Sequence, residues 1–175
     1  MNLKHPRALV MAGCAVLCAA GMNAADAAPT LQSANGQGTL DSNARHFAFN
    51  AKRDADGTVT GQAELTNSNF SGDSGHGPYK LHLDISCMQT FGNTTVFGGT
   101  ATRTNDSNLD GAAYFAVQDN GEPGAGEDQI SRVVFYDSTP GPTGDPGLCT
   151  SPETLTNLGS LTPIEHGNIQ VRPVG

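Results

Sequence analysis

The stretch YKLHLDISC, residues 79–87, alternates apolar and polar side chains over its whole length. Tyr79, Leu81, Leu83, Ile85 and Cys87 fall on one side; Lys80, His82, Asp84 and Ser86 fall on the other. Successive side chains of an extended backbone point to opposite faces, so this period of two belongs to a strand buried on one side. It assigns Cys87 to the buried face.

The same period recurs outward from this strand. HFAFNA (46–51) places Phe47, Phe49 and Ala51 together, DADG (54–57) breaks the run, and TVTGQAELT (58–66) resumes it as a hairpin. TTVFGGTATR (94–103) follows a Gly92-Asn93 turn and pairs with the 79–87 strand. In it, FGGT reads as a bulge or close packing, since glycine inside a strand pattern marks one or the other. GAAYFAVQD (111–119) and QISRVVFYD (129–137) form a further hairpin, and GNIQVR (167–172) a last strand with Ile169 and Val171 inward. The one helical signal is SPETLTNL (151–158), with Ser151 as cap and Pro152 at the first helical position. DSTPGPTGDPGLC (137–149) is a Pro/Gly loop ending at Cys149. The expected fold is all-β: a small antiparallel β-sandwich or barrel of about 7–8 strands with one disulfide.

The N-terminus reads as an address. Lys4, His5 and Arg7 precede an apolar run from Ala8 to Met22, and Ala25-Asp26-Ala27 fits a small-x-small cleavage site. Residues 1–27 are expected to be a secretory signal peptide, 28–37 a flexible leader, and 38–173 a single β domain. VMAGC, ending at Cys14, approximates a lipoprotein box, but that cut leaves a hydrophobic region shorter than the roughly 7–15 residues export requires. The run is also short of the about 20 apolar residues of a membrane span. The chain is therefore expected to be soluble and exported, periplasmic or extracellular. Beyond residue 27 it carries seven basic and sixteen acidic residues, a formal charge of −9. With cations scattered singly, that balance argues against nucleic acid or an anionic membrane as partner.

Cys87 and Cys149 are the two cysteines left after cleavage, and in an oxidising compartment two cysteines pair. CMQTFGNTTVFGGTAT, AAYFAVQDNGEPGAGEDQIS, the late cysteine and IEHGNIQVR together resemble the post-COAP-like domains, a family of exported bacterial β-domains. The resemblance spans about residues 36–172 and rests on Cys87, Asp119 to Gly124, Asp128, Cys149 and Gly167 to Val171. It implies a secreted β-rich fold and no particular activity.

Several constellations carry potential chemistry. SGDSGHGP (71–78) nearly spells the GDSGGP around the nucleophile of chymotrypsin-like proteases, with Ser74 as candidate and His46 and Asp54 or Asp56 in matching order. That fold needs two six-stranded barrels, and the segment before Ser74 cannot build the first; a triad is defined by geometry rather than a tetrapeptide. DADGTV (54–59) resembles half a calcium loop but lacks the bidentate Glu at the twelfth position, and reads as a turn. His82 and Asp84 share a strand face, with His76 upstream and His46 and His166 remote in sequence. Zinc requires three or four converging ligands, and one strand supplies two.

VQDNGEPGAGEDQI (117–130) is the richest stretch. Asp119, Glu122, Glu127 and Asp128 are candidate calcium ligands, since calcium takes six to eight oxygens from a carboxylate-rich loop. Asn120, Gly121, Pro123 and Gly124 equally suit a structural turn, as do Gly167 and Asn168 at the start of the last strand. A pair of carboxylates for glycoside hydrolysis is a third reading, weakened by the exposed tip, which lacks the burial that raises a carboxyl pKa. The absence of Trp weighs against sugar stacking on exposed aromatics.

The leading expectation is a non-catalytic structural or interaction module with a protein or surface partner and no cofactor beyond calcium. The alternatives are a calcium-stabilised adhesion module and a small-ligand-binding β-barrel; a hydrolase comes last.

Overall fold

The computed structural model describes residues 30–72, 77–106, 109–135 and 145–173. The N-terminal segment with Cys14, Ser74 and His76 of the SGDSGHGP run, and residues 137–144 of the Pro/Gly loop lie outside them. Seven strands of seven residues or more carry the architecture: β1 Thr30–Leu40, β2 Arg45–Asp54, β3 Val59–Asn67, β4 Tyr79–Phe91, β5 Thr94–Thr104, β6 Ala112–Gln118 and β10 His166–Arg172. Three two-residue strands complete it: β7 Gln129–Ile130, β8 Val134–Phe135 and β9 Thr162–Pro163. The sheet runs β10-β1-β2-β3-β4-β5-β6-β7-β9, with β8 also paired to β6. All pairings are antiparallel. It curls into a half-barrel, so the expected all-β antiparallel fold holds and the choice between sandwich and barrel falls towards the barrel.

The curl turns the alternating apolar rows inward. Phe49 sits amid them, its ring 5.3 Å from Phe97 and 5.8 Å from Phe115, which lie 4.8 Å apart. Such offset and edge contacts add to the area term of aromatic burial. Phe47, Phe49 and Ala51 are all buried, as their period predicts. DADG forms the expected hairpin turn: Gly57 N–H donates to the Asp54 carbonyl, and Thr58 N–H donates to Asp56 Oδ1. The Thr58 N–H, favouring the ionised form, holds the Asp56 carboxyl below its ordinary pKa.

Three local expectations fail, each for a physical reason. Residues 30–37, expected within a flexible leader at 28–37, belong to β1, which lies between β2 and β10. Its inward positions are Gln32, Ala34, Gly36, Gly38 and Leu40, a row too small and polar to leave an apolar period. Gly36 and Gly38 are small because Phe49 and Phe47 reach across from the paired positions of β2; a Cβ at Gly36 would strike the Phe49 ring, and one at Gly38 the Phe47 ring.

Cys87 does not share the face of Tyr79, Leu81, Leu83 and Ile85. The β4–β5 register slips between Ile85 and Cys87, so Met88 takes the interior position and Cys87 turns to the outer side. A bulge of this kind adds one residue to one strand and inverts every later side chain. Gly98 and Gly99 lie opposite the slip, where FGGT marked a bulge or close packing. QISRVVFYD, read as one strand, is broken between β7 and β8. Ser131 N–H donates to the Ala116 carbonyl while Ser131 Oγ accepts from Ala116 N–H, both at 2.8 Å, and the chain bends there.

The outer side of β5 and β6 carries a second core. Val96, Ala112, Tyr114 and Ala116 pack against Cys149 and Leu158. Cys149 lies in a 3-10 helix, Pro146–Thr150, and Leu158 in α1, Pro152–Leu158. Ser151 caps α1 by accepting from Thr154 N–H, with Pro152 at the start as expected. β6 is thus covered on both faces, which explains its unbroken apolar sequence. The expected disulfide joins Cys87 to Cys149 across 62 residues, with Cα atoms 6.0 Å apart, and staples this cap to the sheet. In the chain-entropy account a loop this long is worth about 4 kcal/mol.

Replacing both cysteines by serine should lower the melting temperature by about 10 °C. Dithiothreitol should depress the wild type to the same value and leave the double variant unmoved. Thermal melts followed by circular dichroism check this.

Candidate functional site

The carboxylate-rich turn after β6 is built against the far edge of the sheet. One side of β10 pairs with β1, leaving Ile169 and Val171 N–H directed into the gap towards β6. An open edge of this kind exposes unpaired donors. Asp128 Oδ2 accepts from Ile169 N–H at 2.7 Å and Asp119 Oδ2 accepts from Val171 N–H at 2.8 Å. The other oxygens hold the turn itself: Asp128 Oδ1 accepts from Asn120 N–H at 2.9 Å and Asp119 Oδ1 from Gly121 N–H at 3.0 Å. Two side chains therefore stand where a strand's carbonyls would be, and clasp β10 to the end of β6.

The rest of the turn serves this clasp. Asn120 Nδ2 donates to the Glu127 carbonyl at 2.6 Å, and Asn168 Nδ2 donates to Glu122 Oε1 at 2.9 Å. Gly124 is buried where the chain crosses under Asn168 and Asp128; a Cβ would overlap both side chains. Pro123 follows Glu122 on the exposed tip, and Gly167 opens β10 opposite Gly38. Asp128 is completely buried, whereas the Glu127 side chain is exposed. The four candidate calcium ligands thus face different ways: Asp119 and Asp128 towards backbone donors, Glu122 towards Asn168, and Glu127 towards solvent. Among the described residues no three His, Cys, Asp or Glu side chains are grouped to hold a metal. His82 Nδ1 lies 3.2 Å from Glu64 Oε1 on the neighbouring strand, and Asp84 stands opposite Gln62.

A second feature lies at one end of the half-barrel. A cavity of about 370 Å³ opens between the β1–β2 turn, β3, the start of β4 and the bent 130–135 segment. Its apolar wall includes Phe47, Leu65, Phe70, Tyr79, Val133 and Phe135. Tyr79 lies between two other rings, with centroids 5.5 Å from Phe70 and 6.1 Å from Phe135, edge-on to each. Arg45, Arg132, His46 and Asp41 supply polar groups to the same cavity. No family model matches this chain, and neither a curated protein nor a solved structure matches it.

The turn at the cavity's rim is strained. Asp41, Ser42 and Asn43 have φ of 56°, 57° and 64°, three successive non-glycine residues in the left-handed region. Each such residue costs on the order of 1–2 kcal/mol. The Glu165 carboxylate holds them there, accepting from Ser42 N–H at 2.8 Å and Asn43 N–H at 3.3 Å. Strain of this type accumulates at ligand clamps.

Sequence reading singled out the clasp residues but not the cavity. Its walls come from four distant segments, and no period joins Phe70 to Phe135. The one local signal was Phe70 itself, a large aromatic in the polar loop run TNSNFSG. It is 39% exposed, with its ring edge-on to Tyr79.

Asp128→Ala should cost about 3 kcal/mol or more, because it leaves two N–H donors unpaired, one of them in the buried interior. Glu127→Gln, on the exposed tip, should change stability by less than about 0.5 kcal/mol. Denaturant midpoints of the two variants against the wild type test the assignment.

Proposed function

We propose that this chain is an exported, non-catalytic binding module that takes one small apolar or amphiphilic molecule into the end of its half-barrel. The carrying observation is the aromatic-walled cavity at the strained β1–β2 turn. Its volume, about 370 Å³, falls in the range of small-ligand sites, roughly 300–1,000 Å³. A concave, mostly apolar surface with a few fixed polar groups is what such sites share.

The polar groups around the cavity are engaged in positioning its walls. Tyr79 Oη donates to the Leu109 carbonyl, Arg45 Nη2 to the Ser131 carbonyl, and Arg132 to the Asn157 carbonyl. That arrangement favours holding a molecule over transforming it. The disulfide supports an oxidising compartment, where such a bridge persists.

The neutral fluorophore N-phenyl-1-naphthylamine should bind the purified protein saturably, about one per chain, with a blue-shifted rise in emission. Val133→Trp, which places a bulky ring in the cavity, should weaken it at least about tenfold with the fold retained by circular dichroism. Absence of saturable binding, or equal binding by the folded variant, would overturn the reading.

A further inference from the structure

We propose that the ligand is a single-chain or bicyclic amphiphile bearing one carboxylate, its apolar body against the aromatic wall and its charge on Arg45 and Arg132. This rests on the ligand-binding reading of the same cavity. The whole chain carries a net charge of −8 with nine Lys and Arg, so cations are scarce. Two of them nevertheless line one apolar cavity, together with His46 and a single carboxylate, Asp41. A surface of this charge repels anions, and a binding site for one needs such a local reversal.

The two guanidiniums are fixed but not saturated. Arg45 Nη2 donates to the Ser131 carbonyl at 3.1 Å, in the bend between β7 and β8. Arg132 Nε and Nη2 donate to the Asn157 carbonyl at 3.2 and 2.9 Å, at the end of α1. Each guanidinium has five N–H donors in a rigid fork. Beyond these bonds, the one further partner of either among the described residues is Asp41, whose Oδ2 lies 3.5 Å from Arg45 Nη1. That distance is at the limit of a hydrogen bond, and the Asp41 side chain is 45% exposed. A surface pair so loosely made contributes little, so a ligand carboxylate can take Arg45 while Asp41 turns to water.

Size narrows the class. A cavity of about 370 Å³ is near the small end of ligand sites and suits one short acyl chain or a bicyclic ring, not a two-chain lipid. Phe47, Tyr79 and Phe135 offer the apolar body a wall, and the arginines meet its head at the rim.

The test is displacement of bound N-phenyl-1-naphthylamine by decanoate and by decanol, chains of equal length that differ in charge. An uncharged apolar cavity prefers decanol, because a carboxylate is costlier to strip of water. Decanoate is therefore expected to displace the probe at about tenfold lower concentration than decanol. Arg45→Gln and Arg132→Gln should each raise the half-displacing decanoate concentration several-fold, and the double variant by about tenfold or more, with decanol unchanged. Arg132 is exposed, so its variant stays interpretable if the loss of Arg45 unfolds the chain. Equal potency of the two competitors, or decanoate binding indifferent to both arginines, would overturn the carboxylate assignment while the ligand-binding reading stands. Failure of the protein to bind the fluorophore, together with no heat of decanoate binding by calorimetry, would overturn both.

Discussion

The buried carboxylate of Asp128 is the point on which the curl of this sheet depends. It accepts one N–H from Asn120 in its own turn and one from Ile169 in the last strand, 41 residues away. A sheet that curls without closing leaves a row of donors facing its other edge. In this protein two side chains, Asp128 and Asp119, meet those donors. Charge-assisted bonds of this kind are about twice as strong as neutral ones, and burial strengthens them further provided every oxygen has a partner. Both carboxylates meet that condition, and the acidic, glycine-rich turn follows from it.

With β10 clasped, β1 has partners on both sides, and the large rings of β2 can lie over its glycines. The interior then consists of a few big side chains opposed by very small ones, which is how a strongly curved sheet fills its core. The opposite face of β5 and β6 needs a separate cover. The 3-10 helix and α1 provide it, held by the Cys87–Cys149 bridge that the bulge at Ser86 turns outward. One extra residue in β4 thus decides which core the disulfide serves.

The bend at Ser131 does similar work at the end of the half-barrel. By bonding twice to Ala116 it interrupts the strand, and the residues that follow form part of a cavity instead of a ladder. The same bend offers the carbonyl that steadies Arg45. Across the opening, Glu165 accepts from two backbone N–H groups of a left-handed turn. The cavity therefore lies where two departures from regular strand geometry face each other, while the clasp turn is occupied with its own hydrogen bonds. For that reason the proposed ligand site is placed in the cavity, and the clasp is read as the device that shapes the fold around it.

What the sequence determined by itself is whatever a local period or a local turn encodes. The alternation in 46–51 and 79–85, the hairpin at DADG, the Gly92-Asn93 turn and the Ser151-Pro152 helix start are all of this kind. Each depends on neighbours a few residues away. Tertiary structure decided the rest. β1 is a strand because rings on β2 need empty space opposite them, so its inward glycines carry no apolar signal. Cys87 faces outward because a one-residue slip against β5 inverts the pattern that residues 79–85 establish. Asp119 and Asp128 close the sheet through partners 52 and 41 residues away, and the cavity draws its wall from segments as distant as Phe47 and Phe135. A period is a property of one strand, whereas register, closure and concavity are relations between strands, and those exist only once the chain has brought them together.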